Sequence, residues 1–320
     1  MDVGCAYFQG FACMKCIAYG FLCACLTSVV IAADDRPAVP ESLVPLDAEL
    51  RGFPGCFGKY GLVLKSREPL TAEQWDAVAG LPVTSFLLSG AFVDKAGLAR
   101  LAEMKVEGLF LTGCRAEDAE AAAAFTAMTS LRRVGFSHCR VNETVAVALA
   151  KHPSLESFTT DNEKLGNAVA HIATAPHLRK LRLAHAAGSD VAAKAIENHP
   201  TLESVQFWSV GGATLTEAGV RSLTTIPNLQ ELAFYYTVVT YEGSLQHLKE
   251  LAKLERLTMG EVDVSAEDLA RLRADLPDVD ITYEPMKPGG RTTWEKNLEY
   301  RRRQGERAAR KNAAAPASSP

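Results

Sequence analysis

Few side chains in this sequence have both the type and the spacing to do chemistry. The histidines are His138, His152, His171, His177, His185, His199 and His247. None follows a spacing such as H-E-x-x-H, which would set two imidazoles on one helix face around a metal. No nucleophile elbow, phosphate loop or cysteine–histidine pattern is present. Ser137-His138-Cys139 places a thiol beside an imidazole, but consecutive strand residues point to opposite faces, which separates the pair for proton transfer. His152 and His199 precede Pro153 and Pro200, a place where a cation suits a helix C-terminus. Catalysis, a bound metal and a cofactor are therefore not expected. What remains is binding. Trp208, Tyr235 and Tyr236 are three large aromatics, with the cations Lys180 and Arg182 upstream of them and Phe110 further back. Aromatics beside cations on an exposed surface are typical of binding hot spots. The other reading is that the aromatics cover one another, or pack under the turn near Gly211.

Elements that bring these residues together follow from a repeat. Val83, Val106, Leu131, Leu155, Leu178, Leu202, Leu229, Leu254 and Val279 recur at steps of 23 to 27 residues. A steady period in the twenties marks a solenoid. Apolar residues follow each anchor at three and five positions on, as in Leu178, Leu181 and Leu183. That alternation predicts a short strand with one face buried. Eleven residues after the anchors stand Asp94, Asn142, Ser189, Thr240 and Ser265, whose side chains accept from the free amides of a helix start. Two residues before the anchors stand Pro153, Pro176, Pro200, Pro227 and Pro277, which stop a helix and favour extended chain. Each unit reads strand, turn, capped helix, proline stop. On this scheme offsets two, four and six from the anchor face away from the core. Lys180, Arg182, Phe110, Trp208 and Tyr235 fall there, with Tyr236 and His138 adjacent.

The pattern L-x-x-L-x-L-x-x-N/C is met at Val106 through Cys114 and at Leu131 through Cys139. On these motifs and the leucine columns the chain resembles leucine-rich-repeat proteins. The type is the short repeat with helices on the outer face, found in exported bacterial proteins. The resemblance covers roughly residues 57 to 284. It departs at the ninth repeat position, which is Glu163, Ala186, Val210 and Thr237 in later units. It implies an α/β leucine-rich-repeat solenoid, with a parallel concave sheet and helices on the convex side. It also implies a protein-binding scaffold with no chemistry of its own.

The rest of the chain frames the repeats. No charge occurs from Cys16 to Ala32, and Lys15 stands just before. Residues 1–32 read as a secretory signal peptide with Val30-Ile31-Ala32 at its cleavage point. An uncleaved anchor, or a lipobox at Leu22-Cys23-Ala24-Cys25, is the other reading. Five of the eight cysteines lie in this leader, leaving Cys56, Cys114 and Cys139. Cys114 and Cys139 hold equivalent positions in adjacent units, either as buried thiols filling the turn or as a bridge between stacked strands. Residues 33–56 read as a linker and the start of an N-terminal cap. Thr71-Ala72-Glu73-Gln74 opens a helix with capping-box spacing. Asn142-Glu143-Thr144 matches a glycosylation sequon and is better explained as a helix cap.

Residues 285–320 form a basic tail that is largely disordered on composition, with a short helix suggested by Trp294 and Leu298 on one face. From Met286 onward nine basic residues stand against three acidic ones, in a chain whose net charge is −4. An acidic body therefore carries a basic arm, in which Arg301, Arg302, Arg303, Arg307, Arg310 and Lys311 cluster. A pI near 6.0 argues against a nucleic-acid protein as a whole. The expected function is non-catalytic binding or scaffolding outside the cytoplasm, secreted or in the periplasm or cell envelope. The partner is a protein, peptide or polysaccharide, and membrane contact comes only through the leader or surface electrostatics. The alternatives are an intracellular adaptor that uses its basic tail on nucleic acid or another anionic partner, and a purely structural envelope component.

Overall fold

The computed structural model describes residues 36–90, 93–116, 118–161, 168–208 and 215–314. The leader and the Gly211 turn lie outside them. Eleven of the described strands form one sheet in almost unbroken chain order, and Arg115–Ala116 and Arg140–Val141 pair in a small second one. The large sheet runs from Gly61–Lys65 through Ser85–Ser89, Gly108–Thr112, Arg133–Ser137, Ser157–Thr160, Lys180–Ala184, Ser204–Trp208, Glu231–Tyr235 and Arg256–Val262 to Asp280–Pro285. All of these neighbours pair in parallel, and equivalent repeat positions stand opposite one another: Phe158 against Leu181, Leu181 against Val205, Val205 against Leu232. That one register holds as far as the last pairing, because a slip of a single residue within the repeats would turn every apolar side chain to water. In the last pairing it shifts between Met259 and Val262.

The core is the stack of those inward residues. Leu109, Val134, Phe158, Leu181, Val205, Phe207, Leu232 and Phe234 are buried, and most of the anchor leucines are sealed as well. Phe136 packs edge-on against Phe125 of the helix Ala119–Ala127, at 5.6 Å between ring centres. Each repeat thus shuts off one face of the next, which no single unit could do alone.

Helix starts follow the polar column. Asp94, Asn142, Ser189 and Ser265 each accept a backbone hydrogen bond from the third residue on. Thr71 and Gln74 form the reciprocal box. Thr240 departs from its column. Its hydroxyl accepts from Gly243 N–H at 2.9 Å and donates to Glu217, yet it leads into a 3-10 segment, Leu245–Glu250, rather than an α-helix. The intervening Glu242-Gly243-Ser244 holds a glycine and a serine where helix formers are needed. Asp118 and Thr216 cap the helices Ala119–Ala127 and Glu217–Leu223 from outside the column.

Two further differences lie at the ends. The linker is built into the cap: Leu43 and Leu50 are buried, and the strand Glu49–Arg51 closes the sheet by pairing antiparallel with Gly61–Lys65. The tail, largely disordered on composition, is one helix over Gly290–Ala314. The reason is pair spacing, which net charge conceals. Arg302 bonds Glu299 and Glu306, and Arg303 bonds Glu299, three or four residues apart, where neighbours on a helix surface meet.

Candidate functional site

The parallel register sets the outward columns side by side. Arg182 stands opposite Gln206, and Gln206 opposite Ala233. Trp208 stands opposite Tyr235, and Tyr235 opposite Gly260. Trp208 and Tyr235 are stacked, their ring centres 4.3 Å apart and their planes 19° from parallel. Tyr235 lies flat because the next strand offers it a glycine. A β-carbon at Gly260 would stand 2.2 Å from the tyrosine ring. Lys180 is exposed and Arg182 half-buried on the strand beside Trp208. These four side chains are brought onto one face.

Tyr236 is not part of that group. Its backbone is left-handed, at φ 55°, and its hydroxyl donates to the Gly290 carbonyl at 3.4 Å. Burial there holds its phenol above the usual value. Lys287 pairs with Glu261 at 2.6 Å and Arg291 with Asp263 at 3.3 Å. Tyr236 thus belongs to the seat of the tail helix. Consecutive strand residues face opposite ways, and the left-handed turn finishes the separation of Tyr235 from Tyr236.

Phe110 is covered as well. Phe53 meets it edge-on at 5.8 Å, and Gly55 sits so close that a β-carbon would be 2.5 Å from the Phe110 ring. Gly55 takes φ 85°, and on the far side Gly135 leaves the space the ring fills. Phe57 continues the cover, its amide donating to Ser85 Oγ at 2.7 Å. The Arg133 guanidinium lies 4.1 Å from the Phe57 ring centre, a cation–π contact. The segment from Phe53 to Phe57 therefore crosses the outward columns of the first repeats. Repeat spacing alone held no sign of it, because the cap lies outside the period.

In the tail, Arg302 and Arg303 are committed to Glu299, whose carboxyl they pull down to about 2. Arg301 is half-buried, while Arg307 and Arg310 are exposed. Lys311 lies in the same helix, its side chain outside the described residues. Trp294 and Leu298 are half-buried.

One polar cluster escaped the sequence reading. Ser137 Oγ donates to Asp161 Oδ2 at 2.7 Å, and the His138 ring nitrogen Nδ1 lies 3.0 Å from the same hydroxyl. A hydroxyl has one proton. With that proton directed at Asp161, His138 can meet the Ser137 oxygen only as donor and does not draw the proton from it. The cluster has a structural cause. One residue past three of the strands the amide continues the ladder: Gly90 to Thr112, Gly113 to Ser137, and Tyr236 to Gly260, at 2.9, 2.9 and 3.0 Å. At His138 the Asp161 carboxylate replaces that carbonyl, at 2.7 Å. Ser137 and Asp161 share offset six in neighbouring repeats, so the column itself held the signal.

His152 and His199 are buried rather than cationic at a helix end. His152 Nε2 lies 2.9 Å from the Met128 carbonyl, while Nδ1 accepts from Ser154 N–H. His199 Nδ1 accepts from Thr201 N–H in the same way. Desolvation holds both imidazoles below the ordinary value. A hollow of about 510 Å³ lies along the loops that lead into the strands, away from the aromatic pair. The pair Arg179–Glu203, at 2.6 Å, lies in its wall. Among the described residues no group of three His, Cys, Asp or Glu is placed to hold a metal ion, and no helix is long and apolar enough to cross a membrane.

A parallel sheet of strand–helix repeats with sealed leucine columns is the fold of a leucine-rich-repeat solenoid. No protein-family model matches the sequence, and no curated protein does. Among solved structures the chain is similar to an internalin from Listeria monocytogenes, at 14% identity and TM-score 0.45, covering 69% of this chain and 66% of that one. It is also similar to TLR13 in its complex with ssRNA13, at 16% identity and TM-score 0.45, covering 70% and 32%. A protein from Bacteroides fragilis aligns at 15% identity and TM-score 0.35, covering 69% and 74%. The first two are spanned over less than two thirds of their own length.

Proposed function

We propose that this is an exported, non-catalytic binding protein that holds a protein, peptide or polysaccharide on the middle of the helix-free face of its sheet. The observation that carries the reading is the in-register stack of Trp208 on Tyr235, beside Arg182 and Lys180. The Phe53–Phe57 segment covers the start of that face, and the tail is seated at its far end through Tyr236. The strands between them, from Ser157–Thr160 to Glu231–Tyr235, offer a surface on the order of 20 Å across at one strand spacing per repeat. That extent suits an elongated ligand better than a metabolite. Broad aromatic surface with few rotamers to freeze supplies contact area at low entropic cost. Export rests on the uncharged leader.

Affinity capture from an extracellular or envelope fraction, with the wild-type chain and with Trp208→Ala/Tyr235→Ala, tests the site. A partner held by the wild type and lost by the double variant, at unchanged circular dichroism, supports it. A partner retained equally by both removes these residues from the site. Fractionation tests export: a processed form beginning near Ala33 outside the cytoplasm is expected, and an unprocessed cytoplasmic chain overturns it.

A further inference from the structure

We infer that Cys114 and Cys139 are a cross-linking site, closed as a disulfide between two adjacent repeats when the protein folds in the presence of a disulfide oxidant. The two thiols are free in this structure, with Cys114 Sγ donating to Cys139 Sγ at 2.8 Å. Their backbones are held in register from both sides. Thr112 pairs with Ser137 before them, and Arg115 with Arg140 after them. Neighbouring strands lie about 4.8 Å apart, within the span of roughly 4.4 to 6.8 Å between α-carbons that a disulfide bridges without backbone movement. Both side chains point into the same core, with exposures of 1% and 4%. Cys139 Sγ also lies 3.2 Å from the Leu111 carbonyl, so its thiol already has an acceptor in the neighbouring strand. The remaining cysteine past the leader, Cys56, is half-buried and bonded locally to the Phe57 carbonyl.

The step balances as thiol–disulfide exchange. One thiolate attacks the oxidant's S–S bond and forms a mixed disulfide. The second then displaces the oxidant's remaining sulfur. Two S–H bonds and one S–S bond break, and one S–S bond forms in the protein. The two electrons and two protons leave on the oxidant, which ends as two thiols. Cys139 is the more acidic partner, held below its ordinary value by the hydrogen bond from Cys114, while Cys114 is pushed far above it. Burial at 1% and 4% bars an oxidant from the folded core. The bond therefore closes during folding, and slowly or not at all afterwards.

The test uses the full chain with Cys5→Ser, Cys13→Ser, Cys16→Ser, Cys23→Ser and Cys25→Ser, so that only Cys56, Cys114 and Cys139 remain. It is refolded from denaturant with glutathione and glutathione disulfide, alkylated, and mapped with trypsin. Cleavage beside Lys105, Arg115, Arg133 and Arg140 puts the two thiols on separate short peptides. The expected result is an intact mass two hydrogens lighter, one alkylated thiol at Cys56, and peptides 106–115 and 134–140 joined until reduction. The oxidised chain should unfold several degrees above the same chain with reductant, since the bond constrains the unfolded state. Three alkylated cysteines after refolding, a bridge that includes Cys56, or a cross-linked chain that unfolds at lower temperature than the reduced one would each overturn the inference. The result does not depend on the reading of the aromatic face, because no ligand enters the assay.

Discussion

Trp208 stacks on Tyr235 with 4.3 Å between ring centres, and the tyrosine can lie flat only because residue 260 on the next strand is glycine. Three repeats contribute to one feature. Gly260→Ala puts a methyl group inside the tyrosine ring's volume, so the ring must swing away. The stack contributes about 0.5–1.5 kcal/mol beyond its burial, and a loss of that order is expected in denaturant unfolding. Tryptophan emission should change in Gly260→Ala and not when Trp208→Phe is already present. Unchanged emission from Gly260→Ala alone would show that the ring finds another way to lie on its neighbour.

The cover over Phe110 makes a second prediction. Phe110 fills the space that Gly135 leaves and is closed from above by Phe53 and Gly55. Gly135→Ala sets a β-carbon 2.5 Å from that ring, which pushes it up against the segment. Overpacking of this kind costs about 1–3 kcal/mol. The segment should loosen before the repeats do. Limited proteolysis after Lys59 should therefore quicken well ahead of cleavage inside the solenoid. Equal rates in variant and wild type would mean that the cap is held by contacts other than Phe110.

A third prediction concerns acid. His152 and His199 are buried with imidazole pKa values below the ordinary 6.5. Their folded value is depressed, so between the two values the unfolded chain binds more protons than the folded one. Stability is then highest above about pH 6.5 and falls as the pH drops through that value, continuing until the folded histidines themselves titrate. His152→Gln with His199→Gln keeps an amide that can donate to the preceding helix's carbonyl and cannot titrate. The double variant should lose less stability than wild type between about pH 7 and 5, measured as urea midpoints. Parallel curves for the two proteins would refute the assignment.

The solenoid was legible because its signal is redundant. Leu178, Leu202 and Leu229 each repeat the same apolar triplet, and Asp94, Asn142 and Ser265 mark helix starts independently of it. The partnership of Trp208 and Tyr235 was legible for the same reason, since equal offsets in adjacent parallel strands must meet. Features outside the period were not. Phe53 and Gly55 reach Phe110 from more than fifty residues away, and no local pattern marks such a contact. Tyr236 shared its stretch of sequence with Tyr235, but a left-handed backbone at φ 55° sent it to the tail. His152 and His199 looked like cations at a helix end because burial cannot be seen in a spacing. The tail's helix was hidden by a net charge that ignored how Glu299 sits three and four residues from Arg302 and Arg303.

That same carboxylate supplies the last prediction. Glu299 accepts from Arg302 and Arg303, which hold its carboxyl at about 2, below the ordinary 4.5. A depressed carboxyl stabilises the folded form above its unfolded value and loses that effect as the pH falls through its folded one. The helix Gly290–Ala314 should therefore hold at neutral pH and fray between about pH 4.5 and 2. The Glu299 side chain is 40% exposed, so water and ions reach the pairing, and salt should weaken it as acid does. Glu299→Gln removes the carboxylate while keeping a good helix former, so it isolates the charge. Amide exchange over residues 295–306 should be faster in Glu299→Gln than in wild type at neutral pH and low salt. The two should converge at about 1 M salt. Trp294 and Leu298 are half-buried on the same helix, and they provide the competing account: if exchange is identical in both proteins at low salt, apolar contact rather than the Glu299–arginine pairs keeps the tail helical. In that case Trp294→Ala, and not the charge variant, should release the first turns together with the Tyr236–Gly290 bond.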